Sequence, residues 1–349
     1  MNNIKVGPFN VSEHPKFGAV LADKSFDELY NAGFSLGDSV DITFSNGVVI
    51  KDVPFYDAFN VKAHEPIICH HPGYEKIFVT FNDGPAMYKK LKLTENDTIS
   101  FSLNTKAKYL NIHNAMKIFY SRNRRDYLND IFFSNFRPLN YGKLKRNLFY
   151  RSSSPFDKVE NRVEIVNSFL QEFQINYIYD LADDKSDLDS FYSKSNENLY
   201  WKKLYDTNSV MALSMSSAIA SLDYKKNCVE ILRSVMQNKG PYLINCTLGK
   251  DRTGYVSMLI EALAFATKDE LERDYMLSFI NLHQLDPNDI AKYNLIRDLK
   301  LSNYICYLAN VDTLNDLTDE KLHTGAINYL LDGGMSKDDI NVLLNYICQ

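Results

Sequence analysis

The sequence predicts an α/β protein whose central sheet is flanked by helices and preceded by a small β-rich, barrel-like domain. Its 349 residues exceed the usual size of one domain. The first hundred residues carry short alternating segments separated by turns, whereas strand-like and helix-like segments alternate after residue 150. Formal charge differs as well, at +4 for residues 1–150 and −9 for residues 151–349. These observations indicate two structural units.

The composition, 45% hydrophobic and 24% charged, is typical of a globular protein and excludes disordered, collagen-like and coiled-coil chains. No uncharged apolar run reaches the roughly 18 residues of a membrane span, and the start lacks the apolar core of a signal peptide. Five widely spaced cysteines without a Cys-x-x-Cys pair indicate a reducing compartment and no zinc site. We therefore expect a cytoplasmic protein, with signal-independent export left open.

Four segments predict the β-rich accessory domain, which we place at residues 1–105. Residues 39–44 alternate like a half-buried strand, and residues 48–50 continue a hairpin after the Asn46-Gly47 turn. Residues 76–81 and 98–103 are further predicted strands. This domain either shapes substrate access or mediates dimer contacts, and the sequence does not decide between them. The oligomeric state also stays open.

Residues 106–145 are predicted to form a helix-rich, basic connector. The basic residues are Lys106, Lys108, Lys117, Arg122, Arg124, Arg125, Arg137, Lys143, Lys145 and Arg146. They form either a solvated face or a surface that gathers anionic substrates. Specific nucleic-acid binding is not predicted, because no binding motif accompanies the charge.

The remainder of the chain predicts a central, largely parallel sheet. The predicted elements are a helix over 159–173, a strand over 175–181, a helix over 214–237, a strand over 241–245, a helix over 253–266 and mostly helix up to residue 349. The acidic run that includes Asp183, Asp184, Asp187 and Asp189 is interpreted as a solvated loop.

The segment from Pro241 to Gly254 carries the chemistry. A buried strand leads to Cys246, a tight loop follows, and a helix begins near Arg252. The loop N–H groups and the helix start can bind one anion, and Gly249 allows a sharp turn. The guanidinium of Arg252 can hold two phosphate oxygens. The alternative is a buried structural cysteine beside a helix-capping arginine.

The same positive field favours the thiolate form of Cys246, which is the competent nucleophile. Attack on phosphorus gives a cysteinyl-phosphate that water then hydrolyses. The hydroxyl of Thr253 is expected to donate to the sulfur and ease its departure. This chemistry requires no metal and no cofactor.

The chain resembles the protein tyrosine phosphatase superfamily, in particular the bacterial atypical branch whose loop reads Cys-x-x-Gly-Lys-Asp-Arg-Thr-Gly. The flanking segments 149–153, 177–181, 274–278 and 327–331 fit this branch too, so the resemblance covers roughly residues 145–349. It implies a tyrosine-phosphatase-like catalytic domain at residues 146–349. It also implies activity on phosphotyrosine, sometimes phosphoserine or phosphothreonine, and in several cases phosphoinositides.

Two positions depart from the family pattern. Asn245 stands where the family usually has a histidine that holds the loop, which predicts lower activity or a pH optimum shifted upward. Ala182 replaces the arginine of the family's Asp-Leu-Arg segment. Neither change removes the nucleophile or the phosphate-binding arginine.

The general acid has several candidates. In this branch Asp251, within the loop, is a candidate to protonate the leaving group. Asp206 lies 40 residues before the nucleophile, on a predicted loop, and is the alternative acid. Asp180, at the end of a strand, either orients the loop or caps its own turn.

The remaining loop residues are predicted to bind substrate: Thr247, Leu248, Gly249, Lys250, Thr253 and Gly254. A second cation at Lys250 suits a multiply phosphorylated head group, such as an inositol phosphate or a phosphoinositide. The alternative is a lysine paired with a nearby acid.

The sequence therefore predicts a cysteine-dependent phosphatase acting on phosphorylated proteins or phosphoinositides. The alternative is a pseudophosphatase that binds phosphorylated ligands with little turnover, which only Asn245 favours. A sulfur-transferring or arsenate-reducing enzyme is disfavoured, since it needs a different loop register or partner cysteines.

Overall fold

We describe a computed structural model of the chain, which covers residues 4–15, 17–62, 64–82, 84–195 and 198–349. The predicted β-rich domain starts at residue 1, and residues 1–3 lie outside the described residues. The chain forms two compact units. One comprises Met1–Lys117 with Asp298–Lys300, and the other comprises Ile118–Arg297 with Leu301–Gln349.

The first unit is a closed seven-stranded barrel in the order β1-β2-β6-β5-β4-β3-β7. Its strands are β1 (Lys5–Glu13), β2 (Val20–Ser25), β3 (Ser39–Phe44), β4 (Val49–Tyr56), β5 (Pro66–Cys69), β6 (Lys76–Phe81) and β7 (Thr98–Thr105). Its helices are α1 (Asp27–Asn31), α2 (Met87–Lys90) and α3 (Leu110–Ala115). Pairing is antiparallel except between β4 and β5.

The alternation in β3 explains how the barrel obtains its core. Val40, Ile42 and Phe44 are buried, whereas Asp41 and Thr43 face away from the interior. Closure of the sheet gives each of the seven described strands a paired neighbour on both sides. The barrel-like prediction is confirmed.

The second unit contains a five-stranded sheet in the order β11-β10-β12-β9-β8. Its strands are β8 (Arg137–Leu139), β9 (Phe149–Ser152), β10 (Tyr177–Asp180), β11 (Val210–Ala212) and β12 (Tyr242–Asn245). β9, β12, β10 and β11 are parallel, and β8 is antiparallel to β9. β12, a short apolar run, is buried along its whole length, as expected for the middle of a parallel sheet. The predicted largely parallel sheet is confirmed.

Helices surround this sheet. They are α4 (Asp130–Ser134), α5 (Val163–Glu172), α6 (Lys185–Lys194), α7 (Tyr200–Asp206), α8 (Leu222–Gln237), α9 (Asp251–Leu263), α10 (Lys268–His283), α11 (Ile290–Ile296), α12 (Ser302–Ala309), α13 (Asp319–Asp332) and α14 (Lys337–Ile347). Short 3-10 turns occupy Arg124–Asp126, Lys158–Glu160 and Leu314–Asp316, and Arg297–Leu301 is a π-helix. No helix of the described residues is long and apolar enough to cross a membrane.

The starts of three helices differ from the prediction. The helix predicted from residue 159 begins at Val163, after the 3-10 turn Lys158–Glu160. The helix predicted from residue 214 begins at Leu222, because Ser214 has a positive φ of 43° and Ser221 caps the helix through its side chain. The helix predicted from residue 253 begins at Asp251, so the first turn of α9 is part of the loop that follows Cys246.

The segment predicted as a basic connector is divided between the two units, and its strand β8 belongs to the second sheet. The ten basic residues from Lys106 to Arg146, nine of them in the connector, are all described, and five form ion pairs with aspartate or glutamate. These five are Lys106, Lys108, Arg122, Arg124 and Arg137. Half of the predicted basic surface is therefore neutralised within the protein.

Candidate active site

Cys246 directly follows the carboxyl end of β12, the middle strand of the parallel sheet. Ligand sites of open α/β sheets form at this edge, where loops from several strands meet. The side chain of Cys246 is buried, and four residues separate it from the start of α9. The loop thus lies between a buried strand and the positive end of a helix.

Gly249 allows this loop to pack directly on the end of β9. Its φ is +63°, and a Cβ atom at this position would lie 2.1 Å from the carbonyl oxygen of Ser152. Side chains other than hydrogen are therefore excluded by both the backbone conformation and the space.

Side chains outside the loop hold its carbonyl groups from behind. Ser153 Oγ donates to the Leu248 carbonyl at 3.1 Å. Asn135 Nδ2 donates to the carbonyls of Leu248 and Gly249, at 3.3 and 3.0 Å. Arg151 Nη2 donates to the carbonyls of Gly249 and Lys250, at 2.8 and 3.2 Å.

This arrangement orients the peptide N–H groups of the loop. In a trans peptide the C=O and the following N–H point in opposite directions. Outward carbonyls at residues 248, 249 and 250 therefore turn the N–H groups of residues 249, 250 and 251 away from these donors, towards the inside of the loop. Gly249 N–H makes a 3.3 Å turn bond to the Cys246 carbonyl. The N–H groups of Lys250 and Asp251 are thus directed into the loop, in the arrangement that suits an anion.

A buried ion cluster anchors these donors. Arg137 Nε donates to Asp274 Oδ1 at 2.8 Å, and Arg151 Nη1 donates to Asp274 Oδ2. Arg137 Nη2 also donates to Ser278 Oγ at 3.0 Å. Burial, and then the neighbouring Arg151, lowers the pKa of Arg137 to about 10. Burial alone would raise the pKa of Asp274, but the two guanidinium groups lower it.

This cluster explains two of the flanking segments that resemble the family. Arg151 lies in the segment 149–153, and Asp274 and Ser278 lie in the segment 274–278. The fold brings both segments together behind the loop, where they hold its backbone. Asn135 and Arg137 were not predicted as site residues, since no motif marks them. The left-handed conformation of Asn135, with φ at 55°, became apparent only in the structure.

Arg252 lies in the first turn of α9 with its guanidinium held beside the loop. Nη1 donates to the carbonyls of Leu181 and Met215, both at 3.2 Å, and Nη2 donates to Thr247 Oγ1 at 3.2 Å. These bonds use three of its five N–H groups. The other two have no partner among the described residues, so they are available to two oxygens of a phosphate.

Asn245 lies behind Cys246 and is fully buried. Its Nδ2 donates to Asp180 Oδ1 at 2.9 Å, so Asp180 contacts the residue that precedes Cys246. Burial, and then the charge of Asp183, raises the pKa of Asp180 well above its usual range. Asp180 is also fully buried, so its contacts are with the protein interior.

The acidic run after β10 is only partly the solvated loop that the sequence predicts. Asp184 and Asp187 form a capping box at the start of α6, and Asp189 pairs with Lys185 at 3.1 Å. Asp183 differs, because its Oδ2 is buried and burial raises the pKa of its carboxyl group. The solvated-loop interpretation is therefore wrong for Asp183.

The candidate acids lie in different places. Asp251 is the first residue of α9, its side chain is half exposed, and its carboxylate lies 3.7 Å from Lys250 Nζ. Asp206 is the last residue of α7 and does not lie on a loop. It precedes the amino end of β11, whereas Cys246 follows the carboxyl end of the parallel strand β12. Asp206 therefore lies at the opposite edge of the sheet.

Lys250 has the pairing that the sequence left as an alternative. Besides its contact with Asp251, its ammonium lies 4.7 Å from the centre of the Phe279 ring. His283 packs against the same ring, and its Nδ1 lies 2.7 Å from the Phe119 carbonyl. Burial, and then the charge of Lys250, lowers the pKa of His283 to about 3.

Two of the predicted binding residues have packing roles. The Thr253 side chain is buried, and its hydroxyl has no hydrogen-bond partner among the described residues, Cys246 included. A Cβ atom at Gly254 would lie 3.0 Å from the Tyr275 ring, so this glycine allows α9 to pack on α10. Over the described ranges, no group of three or more His, Cys, Asp or Glu side chains is placed to hold a metal ion.

Comparison with known proteins places this geometry in context. A family described as "Tyrosine phosphatase family" matches residues 122–349. No curated protein matches the chain. An uncharacterized conserved protein from Thermotoga maritima is similar in structure over 27% of this chain and 35% of that one, with 22% sequence identity and a TM-score of 0.24. This chain therefore spans about a third of that protein, and so limited a likeness supports no argument.

Proposed function

The chain belongs to the tyrosine phosphatase family, and from this premise we propose that it hydrolyses phosphomonoesters with Cys246 as the nucleophile. One observation carries the proposal. At the carboxyl end of β12, Cys246 begins a loop whose carbonyls are held outward and whose Arg252 has two unused N–H groups. Such a loop binds a phosphate through its N–H groups and places the sulfur behind the phosphorus.

In the first step, the Cys246 thiolate attacks phosphorus and a sulfur–phosphorus bond forms. The bond from phosphorus to the ester oxygen breaks, and Asp251 gives its proton to that oxygen. The loop N–H groups and Arg252 bind the phosphoryl oxygens, whose charge develops in the transition state. Asp251 suits this role because it begins α9 directly after the loop and its side chain is half exposed.

In the second step, water attacks the phosphorus of the cysteinyl-phosphate. Asp251, now a carboxylate, takes the proton of the water as the new oxygen–phosphorus bond forms. The sulfur–phosphorus bond breaks, the sulfur leaves as a thiolate, and inorganic phosphate is released.

We propose phosphotyrosine and related phosphomonoesters as the substrate class. The ammonium of Lys250 already has the Asp251 carboxylate and the Phe279 ring as partners. A second phosphate would have to compete with them, so the contacts favour a singly phosphorylated group over a phosphoinositide. A comparison of kcat/KM for phosphotyrosine peptides and phosphoinositides tests this choice.

A pseudophosphatase is the second candidate, favoured by Asn245 at the position of the family's histidine. An amide holds the loop through Asp180, but it brings no positive charge to the thiol. This protein would bind phosphate at the loop with little turnover.

The test is the hydrolysis of an aryl phosphate by the wild type and by Cys246→Ser, together with tungstate binding by both. We expect Cys246→Ser to abolish turnover and retain tungstate, because the loop N–H groups and Arg252 remain. Cys348→Ser, at a half-buried cysteine outside the loop, is the matched control. Turnover that survives in Cys246→Ser would contradict the mechanism. Tungstate binding without turnover in the wild type would favour the pseudophosphatase.

A further inference from the structure

Two carboxyl groups near Cys246 each have a buried oxygen atom without a hydrogen-bond partner among the described residues. Asp180 ends β10 and is fully buried, and Asp183 follows three residues later. Oδ2 of each is buried and has no hydrogen-bond partner among the described residues. Each carboxyl group influences the ionisation of the other, so the two lie close together. Ionised carboxylates only accept hydrogen bonds, so a proton on one of the two would satisfy both buried oxygens at once.

The pair contacts both residues on which the proposed reaction depends. Asp180 Oδ1 accepts from Asn245 Nδ2 at 2.9 Å, and Asn245 directly precedes Cys246. Oδ1 also accepts from the Ala182 backbone N–H at 3.1 Å. The carbonyl of Leu181, between the two aspartates, accepts from Arg252 at 3.2 Å.

We propose that Asp180 and Asp183 are positioning residues that share one proton, and that this proton limits the negative charge beside Cys246 while Asp180 holds Asn245. The inference rests on the proposed function and adds to it. The family's histidine would hold the loop with a cation, whereas here a neutral acid holds it through an amide. The two unusual residues, Asn245 and Ala182, adjoin this pair.

The surrounding charges decide how tightly the proton is held. Asp183 faces the carboxylates of Asp187 and Asp157, which oppose its ionisation, and the guanidinium of Arg252, which favours it. Asp180 faces Asp183 and the thiol of Cys246. For both carboxyl groups, burial is the largest factor that raises the pKa.

The charge of the Asp180 and Asp183 pair determines how oxyanion affinity changes with pH. Below the pKa of the pair, one proton is present and the pair carries one negative charge. As pH rises through that pKa, a second negative charge develops near the thiolate and the bound phosphate. Both are repelled, so affinity for an oxyanion falls with rising pH, by up to about tenfold per pH unit for one proton.

The first test compares Asp180→Asn and Asp183→Asn with the wild type. Either amide can donate the hydrogen bond that the shared proton now supplies, and neither can ionise. We expect tungstate affinity in both variants to lose the wild-type fall with rising pH. Asp189→Asn, an equivalent change at the exposed aspartate of α6 that pairs with Lys185, should retain the wild-type profile.

Asp180→Ala separates the effect of the carboxyl charge from the effect of the hydrogen bond that Asp180 accepts from Asn245. It removes the acceptor of the buried Asn245 amide, so we expect tungstate affinity to drop about tenfold or more at every pH. If Asp180→Asn binds as poorly as Asp180→Ala, Asp180 must be ionised to act, and the proposal is overturned. A wild-type pH profile in Asp180→Asn would also overturn it.

Infrared spectroscopy detects a protonated carboxyl group directly. We expect a protonated-carboxyl absorption at neutral pH that both Asp180→Asn and Asp183→Asn remove. Glu261, another buried carboxyl with a raised pKa, contributes equally to all variants and cancels in the differences. If the spectra of the wild type and of the two Asn variants show no such difference, the shared proton is refuted, even if the wild type binds no tungstate. A wild type that neither binds tungstate nor turns over aryl phosphate, yet shows the difference, would refute the proposed function alone.

Discussion

At the scale of single residues, Gly249 shows how closely the loop after Cys246 packs against its neighbour. Its φ of +63° is a moderate cost for other residues, but the 2.1 Å approach to the Ser152 carbonyl leaves no room for a methyl group. The backbone of β9 therefore determines where the loop can lie. Any side chain at this position would separate the loop from the donors that hold its carbonyls.

Gly249→Ala is predicted to weaken tungstate binding and to lower the free energy of unfolding by about 3 kcal/mol or more, because strain and a steric clash add together. Isothermal calorimetry and denaturant unfolding measure the two effects. Gly334→Ala is the matched control, since its φ is +93° and nothing lies within 4 Å of the added Cβ. Equal losses in the two variants would show that conformation alone, and not the close approach, constrains Gly249.

Asp251→Asn is predicted to reduce kcat on phosphotyrosine peptides about 10²-fold or more, because the tyrosine phenol, a poor leaving group, loses its proton donor. Activated aryl phosphates should lose much less, since their leaving groups depart without a proton. Asp206→Asn, at the opposite edge of the sheet, should leave both rates unchanged. If Asp251→Asn lowers kcat equally on phosphotyrosine peptides and on activated aryl phosphates, Asp251 supports the loop and does not act as the acid.

At the scale of elements, the loop is held by segments far apart in the sequence. Asn135 follows the last residue of α4, β9 carries Arg151, and α10 carries Asp274. Each contributes a buried polar group, and their hydrogen bonds converge on three successive carbonyls or on the groups that hold them. The anion-binding geometry of the loop is therefore a product of the whole layer behind it.

Asn135→Asp is predicted to weaken tungstate binding about tenfold, and to raise KM more than it lowers kcat. An aspartate keeps the shape and still accepts from Arg137, but it cannot donate to the Leu248 and Gly249 carbonyls. Asn310→Asp is the control, because Asn310 also has a left-handed φ, at 53°, and is exposed at the end of α12. Unchanged affinity in Asn135→Asp would show that Ser153 and Arg151 suffice to hold the loop.

At the scale of the whole molecule, buried ionisable groups make stability depend on pH. His283 is neutral in the folded state because its pKa is lowered to about 3, mainly by burial. An unfolded histidine titrates near ~6.5. Its contribution to stability is therefore complete above about pH 6.5 and is lost as pH falls towards 3.

His283→Asn is predicted to make the acid-induced loss of stability shallower by about 1.4 kcal/mol per pH unit between pH 6 and pH 4, the equivalent of one proton. Asparagine can still donate to the Phe119 carbonyl, which His283 Nδ1 contacts at 2.7 Å. Denaturant unfolding at several pH values measures the slope, and the same series above pH 7 gives the packing cost of the change. Parallel slopes in the acid range would contradict a neutral His283.

Local patterns were sufficient to predict several parts of this molecule. Residues 39–44 alternate strictly, and the structure has the same strand. The apolar run before Cys246 and the glycine after it predicted the strand, the loop and the helix in order. These features depend on neighbours within a few residues, so the chain itself carries the signal.

Other parts depended on contacts that no local pattern contains. The position of Asp206 depends on strand order, and its place before a parallel strand puts it at the edge away from Cys246. Asp183 looked like a member of a solvated acidic run, but burial against Asp180 changes its chemistry. Asn135 carries no motif and acts through donors and acceptors brought together by the fold.

The sequence by itself determined the α/β class, and it predicted Cys246 as the nucleophile and Arg252 as the phosphate-binding residue, because these follow from short spacings and from the period of apolar residues. Only the tertiary structure decided which groups hold the loop carbonyls, which carboxyl groups are buried beside Asn245 and at which edge of the sheet each candidate acid lies. Burial and hydrogen-bond partners set those properties, and both arise from residues more than a hundred positions apart, such as Asn135 and Gly249.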